Sequence, residues 1–508
     1  MAAASLHTKG LALSDAVLPQ LSEAVARPNY DRAKLRPGIV HIGLGNFHRA
    51  HQAWYIHRLM QQGMAQDWAI IGAGVRPQDK IMRARLQPQD YLTTLVELSP
   101  QGKSAEIIGS MIDYLPIEDG NAALIRQMAA PAIRIVSLTI TEGGYFISPT
   151  EDGFDIAHPD IQHDIRHPEH PRTVFGAMVA ALAARRASGV GPFTVLSCDN
   201  LRGNGSIARQ AITSLAHHID PALAEWIEDN CSFPNSMVDC IVPATGPNEL
   251  ALARDFGVED AAPVTHESYR QWVIEDDFCA GRPELEKVGV IVARDVHAYE
   301  AMKIRILNAG HQVLANVGEL LSVETIAECM AHPMISRFFH TIEHKEIAPY
   351  VSPVPGMTPT EYVGLVAQRF SNPEIRDTTR RVAFDGSSRH PQFILPIVRD
   401  ALNSGGSIQG LALVEALWAR MCAGVRDDGT TIEENDPDWP RLSKVARQSA
   451  QRPTAWLEQQ HIYGDLADDP VFAPAFCRWL RMIWSEGSLA SLHSYLEQEQ
   501  DTETEAWK

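Results

Sequence analysis

Residues 39–49 read Ile39-Val40-His41-Ile42-Gly43-Leu44-Gly45-Asn46-Phe47-His48-Arg49. A short Val/Ile-rich run stops at two glycines and opens into a segment of helical pattern, which predicts a strand, a tight turn and a helix N-terminus. In that setting Gly43 permits the turn and Gly45 lets a dinucleotide pyrophosphate approach the backbone at the helix start, with Leu44, Asn46 and Phe47 completing the cofactor-binding loop. The third glycine of the usual fingerprint is replaced by His48. A plain strand-to-helix turn is therefore the competing reading.

Outward from this stretch, similar runs recur at 68–75 (WAIIGAGV), 133–140 (IRIVSLTI) and 192–198 (PFTVLSC), alternating with helical segments such as 176–188. That alternation predicts parallel strands joined by crossover helices, a doubly wound, mostly parallel α/β Rossmann-type domain over 1–294. Beyond the second run lies Asp79, a carboxylate able to hold a ribose diol and repel a 2′-phosphate. Arg76 and Lys80 beside it argue for the phosphorylated form; on the carboxylate, NAD is the expected cofactor and NADP the alternative. After residue 295 the pattern is helical, as at 299–321, 359–370 and 409–423, which predicts a mostly α-helical domain over 295–508 whose last dozen residues form a polar, disordered tail. The active site is expected at the junction of the two domains.

The helical domain opens with Tyr299-Glu300-Ala301-Met302-Lys303-Ile304-Arg305-Ile306-Leu307-Asn308-Ala309-Gly310-His311. At 3.6 residues per turn, Lys303, Leu307 and His311 share one side and Asn308 adjoins it, bringing an amine, an amide and an imidazole toward one small ligand. A lysine whose pKa is lowered by burial can take a hydroxyl proton as hydride leaves, and a carboxamide can hold the developing alkoxide. An exposed amphipathic helix with solvated charges is the competing reading.

Composition narrows the classes. The 508 residues carry 44 Lys and Arg against 63 Asp and Glu, a net charge of −19, with no basic stripe, which argues against a nucleic-acid partner. Seven scattered cysteines without a CxxC pair suit reduced thiols, and the absence of a long apolar run or signal-like N-terminus suits a cytoplasmic protein with no membrane association. At roughly 150 residues per domain the length suggests three domains, which the pattern change reduces to two.

The blocks GLGNFHRAH, SLTITEGGY (137–145), SCDN (197–200), SFPNSMVD (232–239), QWVIEDDF (271–278), KIRILNAGH (303–311) and RFSNP (369–373) together resemble the polyol-specific long-chain dehydrogenases. That family includes mannitol 2-dehydrogenases, D-arabinitol 4-dehydrogenases and fructuronate or tagaturonate reductases. The resemblance runs in order over about residues 35–480 and implies metal-independent, NAD(P)-linked interconversion of a secondary alcohol and a ketone, a polyol and ketose as substrates, and a chain that can act as a monomer. It places the catalytic base at Lys303, with Asn200 and Asn308 polarising the reacting oxygen and His311 orienting substrate. It further implies substrate contacts at Asp239 and Arg381, and Glu142 at the mouth of the site in the proton path. The ITEGGY, SSRHPQF and PVPGM segments look closest to mannitol 2-dehydrogenases, which implies D-mannitol and D-fructose. Three positions depart from the family pattern: Cys240 stands where Arg is usual, Ala309-Gly310 where Gly-Ser is usual, and Ser388-Arg389 where Ser-Lys is common.

Two other motifs compete. His340-Thr341-Ile342-Glu343-His344 has the H-x-x-E-H form of a zinc hydrolase, with no third ligand identifiable. His158, His163, His167 and His170 lie among prolines that predict a loop and a helix start in place of a metal site. Cys198, after an apolar strand, is expected to be a buried inert thiol.

Overall fold

The computed structural model describes residues 10–147 and 153–506. The chain divides into two compact units, Met1–His297 and Ala298–Lys508.

The first unit is built on a five-stranded sheet of β1 (Pro37–Ile42), β2 (Ala69–Ala73), β3 (Met111–Tyr114), β4 (Ile135–Leu138) and β5 (Thr194–Ser197). Their order is β3-β2-β1-β4-β5 and every neighbouring pair is parallel. Strand order reverses between β1 and β4, which leaves a crevice beyond their carboxyl ends, the place where such sheets bind ligands. Both faces are covered. Val40, Ile42, Val136 and Leu138 pack with Phe175, Met178 and Leu182 of a crossover helix, while Ile39, Ile70 and Ile135 pack on the other side with Ala53, Ile56, Leu59 and Met60. This two-sided burial is why the strands read as continuous apolar runs.

The turn after β1 leads into α1 (Asn46–Ala50), and after a break at His51 into α2 (Gln52–Gln61). The crossover helix α3 (Val174–Ala187) starts at Thr173, whose hydroxyl accepts from the Gly176 N–H. A smaller sheet pairs β6 (Ser236–Asp239) antiparallel to β7 (Gln271–Glu275), with Asp239 opposite Gln271.

The second unit is helical. It begins with α4 (His297–Met302), continues as a π-helical segment Lys303–Asn308, and returns to α-helix in α5 (Ala309–Leu320). Every residue of α5 except His311 is buried. Next come α6 (Pro333–Ile342), a second π segment at Glu343–Ile347, and α7 (Pro359–Phe370). Then α8 (Gln409–Met421) packs on α5 and on α9 (Phe472–Glu486). The last helix, α10, runs Ser488–Ala506, so the expected disordered tail is helical up to Ala506, while Trp507 and Lys508 lie outside the described residues. Two contacts tie it down: Tyr495 donates to Glu346 at 3.1 Å, and Lys345 pairs with Glu499 at 3.0 Å.

Among the described residues no helix is long and apolar enough to cross a membrane, and all seven cysteines are free thiols.

Candidate active site

In the first unit the glycine turn is built from the backbone outward. Gly43 sits at φ +92°, and a Cβ there would stand 2.1 Å from the Thr139 carbonyl oxygen, so only glycine fits between β1 and the end of β4. Gly45 is different. Its backbone is extended, and a Cβ would meet nothing closer than the Gly43 oxygen at 4.0 Å, so its bare Cα faces open space at the N-cap of α1. That cradle fits the pyrophosphate of a dinucleotide. Leu44 is buried and Phe47 stacks on His51 at 4.9 Å. The Asn46 amide is spent on the protein, donating to Pro243 O at 3.0 Å and Thr245 Oγ1 at 2.9 Å, so only its backbone N–H is left to face a ligand.

His48 solves by stacking what the missing third glycine usually solves by smallness. Its ring lies flat on that of His41, centroids 3.4 Å apart, and His41 is fixed by Ser137 Oγ at 2.8 Å and Thr139 Oγ1 at 2.9 Å. Helix and sheet therefore meet through two neutral imidazoles. Burial pushes His41 down to about 3 and His48 well below its usual value.

Asp79 lies past the end of β2 with Oδ2 accepting from Val75 N at 3.0 Å and Arg76 N at 2.9 Å. Its carboxylate rests against Gly74, where a Cβ would be 2.4 Å from Oδ2. The carboxylate is thus anchored just beyond the carboxyl end of β2.

Asn200 and Glu142 are both exposed, on turns that share one anchor. Asp199 accepts from Ile140 N and Thr141 N, each at 2.9 Å, and from the Tyr145 hydroxyl at 2.7 Å, with Tyr145 also 2.5 Å from Ser197 Oγ. Burial raises the Asp199 acid while those three donors pull it down. Asn204 supplies a second tie, donating to Asp199 O at 3.0 Å and Ser236 O at 2.8 Å, so the turn carrying Asn200 is held against β6, which ends at the buried Asp239. Asp199, Tyr145 and Asn204 were not identifiable as positioning groups from the sequence, although Asp199 and Tyr145 sit inside the quoted blocks. Cys198 is buried and desolvation pushes its thiol up, as expected of an inert cysteine.

In the second unit Lys303 is only 8% exposed, which removes the reading of a solvated helical face. The helical spacing also differs from expectation. Ala309 N–H bonds to Ile304 O, five residues back, so the turn at 303–308 is one residue wider than an α-turn. In an α-helix Lys303 and Asn308 would be about 140° apart around the axis. The wider π turn reduces that separation and brings Asn308 nearer the side of Lys303, while Leu307, 5% exposed, is buried like Lys303.

His311 packs on Phe370 at 4.2 Å, and desolvation pushes it down to about 4 against the opposing pull of Asp377, with Arg381, Arg369 and Arg389 adding to the downward push. It is a neutral imidazole near pH 7. Arg381 is exposed and held by a two-pronged pair to Asp377, Nε to Oδ1 at 2.6 Å and Nη2 to Oδ2 at 2.7 Å.

The H-x-x-E-H segment does not converge. His340 and His344 stack outward with centroids 6.2 Å apart, His344 exposed, whereas Glu343 is fully buried on the inner side where the second π segment begins. In the other histidine-rich stretch His158 Nδ1 accepts from Asp160 N and caps the helix Pro159–Arg166. Among the described residues no group of three or more His, Cys, Asp or Glu is placed to hold a metal.

Residues 37–287 match the mannitol dehydrogenase Rossmann domain and residues 295–484 the mannitol dehydrogenase C-terminal domain. The chain is 52% identical over 476 residues to a mannitol 2-dehydrogenase of Cereibacter sphaeroides, covering 94% of this chain and all of that one. It is 40% identical over 477 residues to a mannitol 2-dehydrogenase of Pyrenophora tritici-repentis, covering 93% of this chain and 84% of that one. Among solved structures it is similar to the Pseudomonas fluorescens mannitol 2-dehydrogenase ternary complex with NAD and D-mannitol, at 40% identity and TM-score 0.87 over 96% of this chain and 100% of that one. A D-sorbitol dehydrogenase in substrate-free form matches at 36% identity and TM-score 0.87 over 95% and 100%.

Proposed function

The chain belongs to the mannitol dehydrogenase family, and from that premise we propose that it oxidises a secondary alcohol of a polyol to a ketose with NAD, and runs the reverse reduction, with D-mannitol and D-fructose as the pair. The observation that carries the reading is the buried Lys303 on a π turn shared with Asn308. A buried amine is the base such a reaction needs, because desolvation lowers an ammonium pKa toward working pH.

In oxidation the Lys303 amine takes the hydroxyl proton, and the carbinol carbon gives up its hydrogen with the bonding pair. NAD, held at Gly43, Leu44, Gly45, Phe47 and the Asn46 backbone with Asp79 at the ribose, supplies the hydride acceptor, and its reduced form the donor for the reverse direction. The Asn200 and Asn308 amides donate to the oxygen as negative charge gathers on it, in the manner of an oxyanion hole. Neutral His311 orients the substrate by hydrogen bonding, as do Asp239 and Arg381. Glu142, exposed on its turn, passes the proton from the lysine toward water. In reduction the Lys303 ammonium returns the proton. The protein's own groups thus supply both base and oxyanion stabilisation, so the reaction is proposed to run without a metal ion.

The likeness to a D-sorbitol dehydrogenase makes sorbitol the second substrate to test. NADH absorbance with mannitol, sorbitol and arabinitol, and NADH consumption with fructose and fructuronate, ranks the candidates by kcat/KM. Mannitol and fructose are expected at the top; no turnover with any of the five overturns the proposal.

A further inference from the structure

Glu343 has the burial of a core residue and the chemistry of a functional one. Its side chain is fully buried, and neither carboxyl oxygen has a hydrogen-bond partner. Three residues on, in the same π segment, Glu346 is equally buried but accepts from Gly410 N, Leu411 N, Ser407 Oγ and Tyr495 OH at 2.8–3.1 Å. The fold can therefore satisfy a buried carboxylate in this region and leaves Glu343 unsatisfied. Retaining an unpartnered buried acid is destabilising, which calls for a role.

Its position supplies one. Oε1 stands 2.7 Å from the point a Cβ would occupy on Gly310, so the carboxyl occupies the space that glycine leaves beside the residue preceding His311. The same point is lined by Phe339 and Phe370, and Phe370 is the ring on which His311 packs. His311 Nδ1 is itself buried and without a partner. Two buried polar groups without a hydrogen-bond partner thus lie near one bare Cα, Glu343 over Gly310 and His311 next to it in the chain, with the Phe370 ring touching both places. Desolvation raises the Glu343 acid well above the usual carboxylate range, so it has a proton to donate.

We propose that Glu343 is a positioning residue for His311: its carboxyl O–H donates to His311 Nδ1 in the substrate-bound protein, past the bare Cα of Gly310, and leaves Nε2–H to donate to a polyol hydroxyl. Hydrogen bonds of this kind commonly tighten only once substrate is in place. The inference rests on the substrate-orienting role proposed for His311 and names the group that sets its tautomer.

The test uses steady-state kinetics with D-mannitol, NADH titration and thermal unfolding on the full-length chain. Glu343→Met keeps the volume and removes the donor; it raises the polyol KM about tenfold with kcat and NADH affinity changed by less than about threefold, since a bond that serves ground and transition state alike acts on KM. Its melting temperature stays level or rises, because an unpartnered acid has been replaced by an apolar group. Glu343→Gln, whose amide can donate to Nδ1, restores KM to within about twofold of wild type. Gly310→Ala expels the carboxyl and reproduces the KM rise, and the Gly310→Ala/Glu343→Met double variant is no worse than either single one, as expected of two substitutions that break one interaction. An unchanged KM in Glu343→Met, a Gln variant as impaired as the Met variant, or penalties that multiply in the double variant overturns the role of Glu343. A wild-type protein that forms NADH with no polyol overturns the functional reading beneath it, an outcome read before any variant is made.

Discussion

An alanine at position 43 would have to adopt φ +92° with its Cβ 2.1 Å from the Thr139 carbonyl oxygen, whereas an alanine at position 45 would sit in an extended backbone with open space around it. The two substitutions should separate folding from cofactor binding. For Gly43→Ala, the left-handed conformation costs about 1–2 kcal/mol and relieving the contact with β4 adds about 1–3 kcal/mol, so about 3 kcal/mol in all. At about 2–4 °C per kcal/mol for a domain of 150–250 residues, its melting temperature should fall by about 6–12 °C. Gly45→Ala should keep wild-type stability to within about 0.5 kcal/mol. Its methyl group stands where the pyrophosphate must approach, so NADH affinity should fall by about tenfold or more, the equivalent of about 1.4 kcal/mol. Circular-dichroism melting and NADH fluorescence titration on the same preparations read the two effects. Wild-type NADH affinity in Gly45→Ala would refute the assignment of this turn to the cofactor, and unchanged melting in Gly43→Ala would refute the steric reasoning.

Acid should destabilise the first unit through its buried histidines. His41 and His266 are both pushed down to about 3 by desolvation, from an unfolded value near 6.5, so their contribution is complete above that value and is lost as pH falls toward 3. At pH 5 each costs about 2 kcal/mol, and urea midpoints measured at pH 7 and pH 5 should differ accordingly; equal midpoints would contradict it. Tyr145→Phe removes one of three donors to Asp199 and should lower polyol kcat/KM by about tenfold while NADH affinity holds, since the turns bearing Glu142 and Asn200 loosen. Prolonged EDTA treatment should leave mannitol oxidation intact; a loss that zinc restores would contradict the metal-free mechanism.

The four runs rich in Val and Ile were legible as parallel strands because each is buried on both faces and needs no polar alternation. Strand β3, Met111–Tyr114, was not, since Asp113 interrupts a run of only four residues. The lysine, the asparagines and the histidine could be named from their blocks. The π turn over Lys303–Asn308 had no sequence signal, because nothing in KIRILN distinguishes five-residue from four-residue hydrogen bonding. The same limit applies at Glu343. Helical spacing set it between two histidines as a zinc site would require, and the burial that turns it inward comes from Phe339 one turn before it and from Phe370 and the bare Gly310, which are distant in sequence. The acidic composition of the C-terminal stretch suggested disorder, yet contacts made by Tyr495 and Glu499 with the second π segment order its helix.

The most direct test of the account is the turnover of D-mannitol by Lys303→Ala, followed as NADH absorbance across the pH range alongside NADH affinity. Loss of a general base should lower kcat by about 10²–10⁴-fold with NADH affinity preserved. Turnover near the wild-type rate at every pH would contradict it.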